Sequence, residues 1–260
     1  MGQLDGKNVL ITGASRGLGR QLALAYAREG VGRLALVARS ADALMELREH
    51  IRQVSPGVAA LTIAADLTHE ADVERVVGVA LHAFNGRVDV LVNNASALGP
   101  APMPFLLDYP LEDFRAVLDT NLIAPFLLIK KLLPAMAEEG GSIINVTSDA
   151  GVVGNPGWGA YGISKFGIEG MSRTWAAELE GTKVRLNWVD PGSMDTAMHR
   201  AAEPDEDPAE WANPADVTEV FVYLASDESR GIHGRRFRAQ EPGWGLDANS
   251  NAAPVEGVSP

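Results

Sequence analysis

Residues 11–21 read ITGASRGLGRQ, and their placement decides the fold. Gly13, Gly17 and Gly19 stand in a G-x-x-x-G-x-G spacing between the apolar run KNVLIT and the amphipathic stretch GRQLALAYAREG. Glycine serves where a backbone must turn sharply or approach a ligand closely. A helix opening just beyond such a turn presents free N–H groups and partial positive charge to a pyrophosphate. A tight strand-to-helix turn without a ligand has the same local signature, so the rest of the chain must discriminate.

Working outward, the same rhythm repeats. KNVLIT, RLALVA, VAALTIAA, VDVLVNN, SIINVTS and KVRLNWVDP read as strands, and SADALMELREHIRQV and HEADVERVVGVALHAF, among others, as helices between them. Strands apolar on both faces that alternate with helices predict a single doubly wound parallel sheet, a Rossmann-type α/β fold covered on both sides. No linker interrupts the pattern, which places one domain over residues 1–240. Residues 241–260, EPGWGLDANSNAAPVEGVSP, lack periodicity and read as a mobile or subunit-packing tail.

Composition narrows the function. The net charge of −12 over 260 residues repels a phosphate backbone and argues against nucleic-acid binding. With no cysteine, disulfides, thiolate metal sites and a cysteine nucleophile are excluded, which fits a reducing cytoplasm, and no metal site is expected. MGQLDGKNVLITG shows no signal peptide, and NLIAPFLLIKKLLPAM, broken by Pro125 and two lysines, is too interrupted to span a bilayer.

Chemistry enters with YGISK. Tyr161 and Lys165 stand at i and i+4 of a helical stretch, which puts both on one face. An ammonium beside a phenol favours the phenolate, so the tyrosine pKa is expected to fall toward a working range where it serves as acid or base. Ser148 ends SIINVTS at the carboxyl edge of a strand, where ligands bind in open α/β sheets. Taken singly, these could be a surface pair and a loop residue.

Together, TGASRGLG, Asp66 after the third strand, NNAS after the fourth, Asn121, Ser148, YGISK and DPGSMDT resemble the short-chain dehydrogenase/reductase family, in order, over about residues 5–240. The resemblance implies a catalytic tetrad. Tyr161 would be the acid/base, Lys165 would hold the nicotinamide ribose and depress the tyrosine pKa, and Ser148 would hydrogen-bond the substrate oxygen. Asn121 would support a water-linked proton relay to Lys165, although it could equally satisfy a backbone group within its helix. It further implies cofactor contacts from Gly13, Ser15, Arg16, Gly17, Leu18, Gly19, Arg39, Asp66, Leu67, Asn93, Ala95, Tyr161, Lys165, Pro191, Gly192, Met194 and Thr196. Asp66 would bind the adenine amino group, with a plain helix N-cap as its alternative. Pro191, Gly192 and Thr196 would hold the nicotinamide carboxamide.

Arg39 ends the second strand where an NAD reader would carry a carboxylate, and Arg16 lies in the glycine loop. Guanidinium groups suit a 2′-phosphate, so NADP(H) is expected over NAD(H). Two departures stand out. Ser96 replaces the glycine usual after Asn-Asn-Ala and should restrict that backbone, and GIHGRRFRAQEPGWG replaces the usual apolar closing strand. The pocket walls, residues 95–110, 150–161 and 193–214, offer apolar groups such as Leu98, Val153 and Trp158 and end in a lid whose EPDEDPAE run reads as a solvated acidic face. The expected activity is hydride transfer between nicotinamide and a carbonyl/alcohol carbon of a small, largely apolar substrate, in a homodimer or homotetramer with no membrane or nucleic-acid partner. A non-catalytic NADP(H) sensor and a nicotinamide-dependent epimerase or dehydratase are the alternatives. The glycine spacing and lack of room for an added domain weigh against the latter, and the complete tetrad against the former.

Overall fold

The computed structural model describes residues 2–245. Seven strands, β1 Asn8–Thr12, β2 Arg33–Ala38, β3 Ala59–Ala64, β4 Val90–Asn93, β5 Gly141–Val146, β6 Val184–Asp190 and β7 Arg236–Arg238, form one sheet. Its order is β3-β2-β1-β4-β5-β6-β7 and every pairing is parallel. Helices α1 Gly17–Arg28, α2 Ala41–Val54, α3 Glu70–Ala83, α4 Leu111–Leu118, α5 Ala124–Ala137, α6 Gly159–Glu178, α7 Ala197–Ala202 and α8 Glu219–Ala225 fill the crossovers. None is long and apolar enough to cross a membrane.

Two apolar layers hold the sheet. On one face Leu22 and Tyr26 of α1, Leu44 and Ile51 of α2 and Phe221 of α8 pack on Val9, Ile11, Leu34 and Leu36. On the other, Val73 and Val76 of α3 and Leu128 and Leu132 of α5 pack on Leu10, Val37, Leu91 and Ile143. Adjacent strand residues thus point into opposite layers, which is why β1 and β2 read as unbroken apolar runs. The doubly wound sheet is the one expected from the sequence.

The strand order reverses between β1 and β4, and the carboxyl ends there open the crevice where such sheets bind ligands. The helical stretch around Asn121 is not continuous. One π turn, Asp119–Ile123, joins α4 to α5, with the Ala124 N–H reaching the Asp119 carbonyl five residues back. Pro125, four residues beyond Asn121, has no N–H to give the Asn121 carbonyl, so a regular α-helical ladder cannot run through this point.

At the other end, β7 forms from the charged closing segment, with Phe237 fully buried between two arginines. Beyond it Trp244 stacks on Tyr223 of α8 at 5.1 Å between ring centroids. Residues 246–260 of the expected tail lie outside the described residues.

Candidate active site

The glycine turn is shaped for close approach. Gly13 and Gly17 have φ of +66° and +53°, in the left-handed region that favours glycine. Gly19 is helical, but a Cβ there would lie 2.3 Å from the Gly13 carbonyl oxygen and 2.5 Å from Asn94 Nδ2. At the start of α1, Arg16 makes no side-chain cap and no acidic residue stands in the first turn. The first i→i−4 bond is Arg20 N–H to the Arg16 carbonyl, at 3.3 Å. The N–H groups of the first turn of α1 therefore lack that helical partner, and an anionic pyrophosphate fits such a helix start. Ser15, Leu18 and Gly19 lie on this turn, and Thr196 packs on it, its methyl 3.4 Å from where a Gly17 Cβ would sit. A Gly19→Ala side chain would force the Gly13 backbone to move and is expected to weaken tenfold or more the binding of the NADPH that the sequence leads one to expect; a displacement titration checks this.

Sequence reading missed the clamp that holds the turn. Thr12 Oγ1 accepts the N–H groups of Asn94 and Ala95, both at 3.0 Å, while Asn94 Nδ2 donates to the carbonyls of Thr12 and Gly13 at 2.9 and 3.2 Å. This ties the ends of β1 and β4 across the switch point. Asn93 turns inward instead, donating to Asn145 Oδ1 at 2.8 Å. Ser96 has no positive φ, so glycine is not required there, and its buried hydroxyl has no partner among the described residues.

The N-cap alternative for Asp66 does not hold. Asp66 is not the N-cap of α3, which begins at Glu70 after His69. It closes a turn, accepting from the Thr68 N–H and hydroxyl at 3.1 and 2.8 Å. Burial raises the Asp66 pKa, but these bonds and the nearby Arg39 hold it below the usual carboxylate range. Leu67 beside it is buried. Arg39 and Arg16 are exposed at the end of β2 and the start of α1.

The tetrad candidates converge from three elements. Tyr161 and Lys165 share one face of α6, with the ammonium 5.4 Å from the phenol ring centroid. Ser148 follows β5, accepting from the Ala150 N–H and donating to Asp149 Oδ1 at 2.7 Å. Asn121 projects from the π turn, accepting from the Ala97 N–H at 2.7 Å and donating to the Ala97 carbonyl and Ser164 Oγ, each at 2.9 Å. Its side chain thus latches the loop after β4 to α6; the backbone group it satisfies belongs to that loop and not to its own helix.

The electrostatics overturn one expectation. Burial raises the Tyr161 pKa; the Ser148 hydroxyl opposes this, and Asp190 and Asp149 add to it. Lys165 does not depress the phenol here. Its ammonium donates to the Val146 carbonyl at 3.0 Å. Burial pushes Lys165 down to about 8, while Asp190 and Glu169 pull it back up. Desolvation, a tertiary property, outweighs the pairwise attraction that i,i+4 spacing implies.

The floor beneath Lys165 is a buried polar cluster. Glu169 accepts from Thr147 Oγ1, Trp188 Nε1, Arg173 Nη2 and Arg236 Nε, at 2.7 to 2.9 Å. None of these was singled out in the sequence, since no motif links them. Past β6, Gly192 has φ +71° and donates to Asp190 Oδ1 at 2.9 Å. Gln240 Nε2 donates to the carbonyls of Pro191 and Ser193. Met194 bridges to Ala212, and Thr196 caps α7.

The walls carry aromatic surface. Trp158 lies 5.6 Å from Tyr161 between ring centroids, and Tyr109 fits against Gly99 and Gly159, where Cβ atoms would meet it at 2.1 and 2.5 Å. Leu98 is buried, while Val153 is exposed. The EPDEDPAE run is not only a solvated face, because Glu206 accepts from Trp211 Nε1 at 3.0 Å and Asp207 from the Ala209 N–H at 2.9 Å.

Known proteins place this arrangement. The sequence family described as short chain dehydrogenase matches residues 7–207. The chain is 35% identical over 245 residues to a 3-oxoacyl-[acyl-carrier-protein] reductase of Thermotoga maritima, covering 90% of this chain and 96% of that enzyme. A short chain dehydrogenase structure from Pseudomonas syringae matches with a TM-score of 0.86 and 38% identity, over 92% of this chain and 96% of that one. One from Escherichia coli CFT073, complexed with NADPH, matches with a TM-score of 0.84 and 31% identity, over 92% and 98%.

Proposed function

Because the chain belongs to the short-chain dehydrogenase family of oxidoreductases, we propose that it is an NADP(H)-dependent enzyme acting on a carbonyl/alcohol carbon of a small, largely apolar substrate. The observation that carries the reading is convergence at one sheet edge. There the uncapped glycine turn follows β1 and Ser148 follows β5, with Tyr161 and Lys165 on one face of α6 and Ser148 at the phenol.

When bound, the nicotinamide supplies or accepts the hydride. The chain's own residues handle the proton and the oxygen. Tyr161 gives its proton to the carbonyl oxygen in reduction and takes it from the alcohol in oxidation. Burial keeps the phenol protonated, so the resting residue is an acid. Ser148 turns its single O–H from Asp149 toward the substrate oxygen as negative charge develops there. Lys165, about one helical turn beyond Tyr161 and buried, would hold the ribose hydroxyls.

Arg39 and Arg16 support NADP(H) over NAD(H), because exposed guanidinium groups at this edge can fork onto a 2′-phosphate. The NADPH complex of the similar Escherichia coli protein supports the same choice. Leu98, Tyr109 and Trp158 favour an apolar substrate. Exposed Ile123 at the end of the π turn, Phe126 of α5, and Ile163 and Phe166 of α6 support self-association.

The Lys165 reading has a pH signature. With its pKa lowered to about 8, the ammonium is present below that pH and lost above it. NADPH affinity is expected to fall roughly tenfold between about pH 7 and 9.5, the loss of one charged hydrogen bond of about 1.5 kcal/mol. Lys165→Arg stays charged, so the slope should flatten. A titration with no slope in wild type contradicts this role.

A further inference from the structure

The closing strand β7 carries Arg236 and Arg238 on either side of buried Phe237, and the two behave differently. Arg238 pairs with Glu241 at 3.0 Å and both are half-exposed. Arg236 turns inward. Its Nε donates to Glu169 Oε1 at 2.8 Å, and its Nη2 donates to Asp190 Oδ2 at 3.0 Å and to the Ser148 carbonyl at 3.2 Å. Glu169 lies one turn beyond Lys165 on α6, buried to 1% exposure. Asp190 ends β6, and its second oxygen holds the Gly192 N–H. One guanidinium therefore ties together the three segments that carry the proposed site: the end of β5, the inner face of α6 and the loop after β6.

Among the described residues, charges from four segments surround it. α6 contributes Tyr161, Lys165, Glu169 and Arg173, the last donating to Glu169 Oε2 at 2.9 Å. β6 contributes Asp190, the segment after β5 contributes Asp149, and β7 contributes Arg236. Lys165, Arg173 and Arg236 balance Glu169, Asp190 and Asp149. Lysine could supply Arg236's single charge but not its fork, which reaches two carboxylates and a carbonyl at once. A buried carboxylate stripped of its cation is costly and acts strongly on neighbouring titrations.

We propose that Arg236 is a positioning residue for the reaction, holding Asp190 and the Ser148 backbone so that Lys165 and Tyr161 keep the charge state proton transfer requires. The proposal rests on the hydride-transfer reading above. Burial draws the proton off Lys165, and Asp190 and Glu169 draw it back. Removing Arg236 strips Asp190 of its cation and leaves Glu169 only Arg173, so Lys165 and the Tyr161 phenol should each hold their protons to higher pH.

The test is an NMR titration of Lys165 in protein carrying labelled lysine side chains, assigned with Lys165→Arg. It needs no substrate, so its failure is distinct from failure of the hydride-transfer reading. Arg236→Met should raise the Lys165 midpoint by about one pH unit, a tenfold change in proton affinity. Arg236→Met with Asp190→Asn should return it toward wild type. The pH at which Tyr161-dependent alcohol oxidation rises should move upward in the single variant and back in the double one. Loss of thermal stability or kcat with the Lys165 midpoint and rate profile unmoved would make Arg236 merely structural and overturn the proposal. If Arg236→Met does not fold, Asp190→Asn and Arg236→Lys decide. Asp190→Asn should lower the midpoint and Arg236→Lys should leave it near wild type while reducing kcat; no movement in Asp190→Asn overturns the proposal.

Discussion

Tyr161→Phe is expected to lose roughly 10²- to 10⁴-fold in kcat while binding NADPH as wild type does, the range for removing a positioned general acid. The hydroxyl is the only group deleted, and the ring keeps its packing against Trp158. Burial and the Asp190 and Asp149 charges hold the proton on this phenol. Reduction therefore starts from the acid form and should run flat through neutral pH, whereas oxidation, which needs the phenolate, should climb as pH rises. Steady-state rates with the variant, beside a cofactor titration, check the point. A turnover drop accompanied by equal loss of NADPH affinity would assign Tyr161 to binding instead.

Arg39→Asp should reverse cofactor preference by about a hundredfold. Removing a forked, charge-assisted contact to the 2′-phosphate costs about 1.5–3 kcal/mol, and a carboxylate there repels the phosphate while accepting from the 2′-hydroxyl of NAD. Arg39 is exposed at the end of β2, and Asp66 feels its charge. Little structural cost is expected, so a thermal melt should stay close to wild type. Paired titrations with NADPH and NADH measure the swing. An unchanged ratio would move the selector role to Arg16.

What could be read from the sequence follows from what is local. β1 and β2 are buried on both faces, so their apolar runs announce a parallel sheet without help from distant residues. The Gly13 and Gly17 turn and the Tyr161–Lys165 spacing are likewise written within a few positions. The Glu169–Arg236–Asp190 cluster is not, because its partners are separated by 67 and 46 residues and meet only once β7 joins the sheet. From sequence alone the arginines around Phe237 are simply unusual charge; in the fold one of them is an internal cation. The Tyr161 pKa direction was hidden for the same reason, since spacing shows the lysine but not the burial. Asn121 looked like a position on a regular helix, and only the π turn beside Pro125 reveals how it reaches Ala97.

The central claim is that the glycine turn cradles a phosphate-bearing nicotinamide cofactor and that Arg39 and Arg16 select its 2′-phosphate. The most direct measurement is an equilibrium titration of the wild-type protein with NADPH and with NADH at neutral pH, followed by the fluorescence of the reduced nicotinamide. The account predicts saturable NADPH binding at least tenfold tighter than NADH, about 1.4 kcal/mol or more. Equal affinities would contradict the selection by arginine, and binding of neither would contradict the cradle itself.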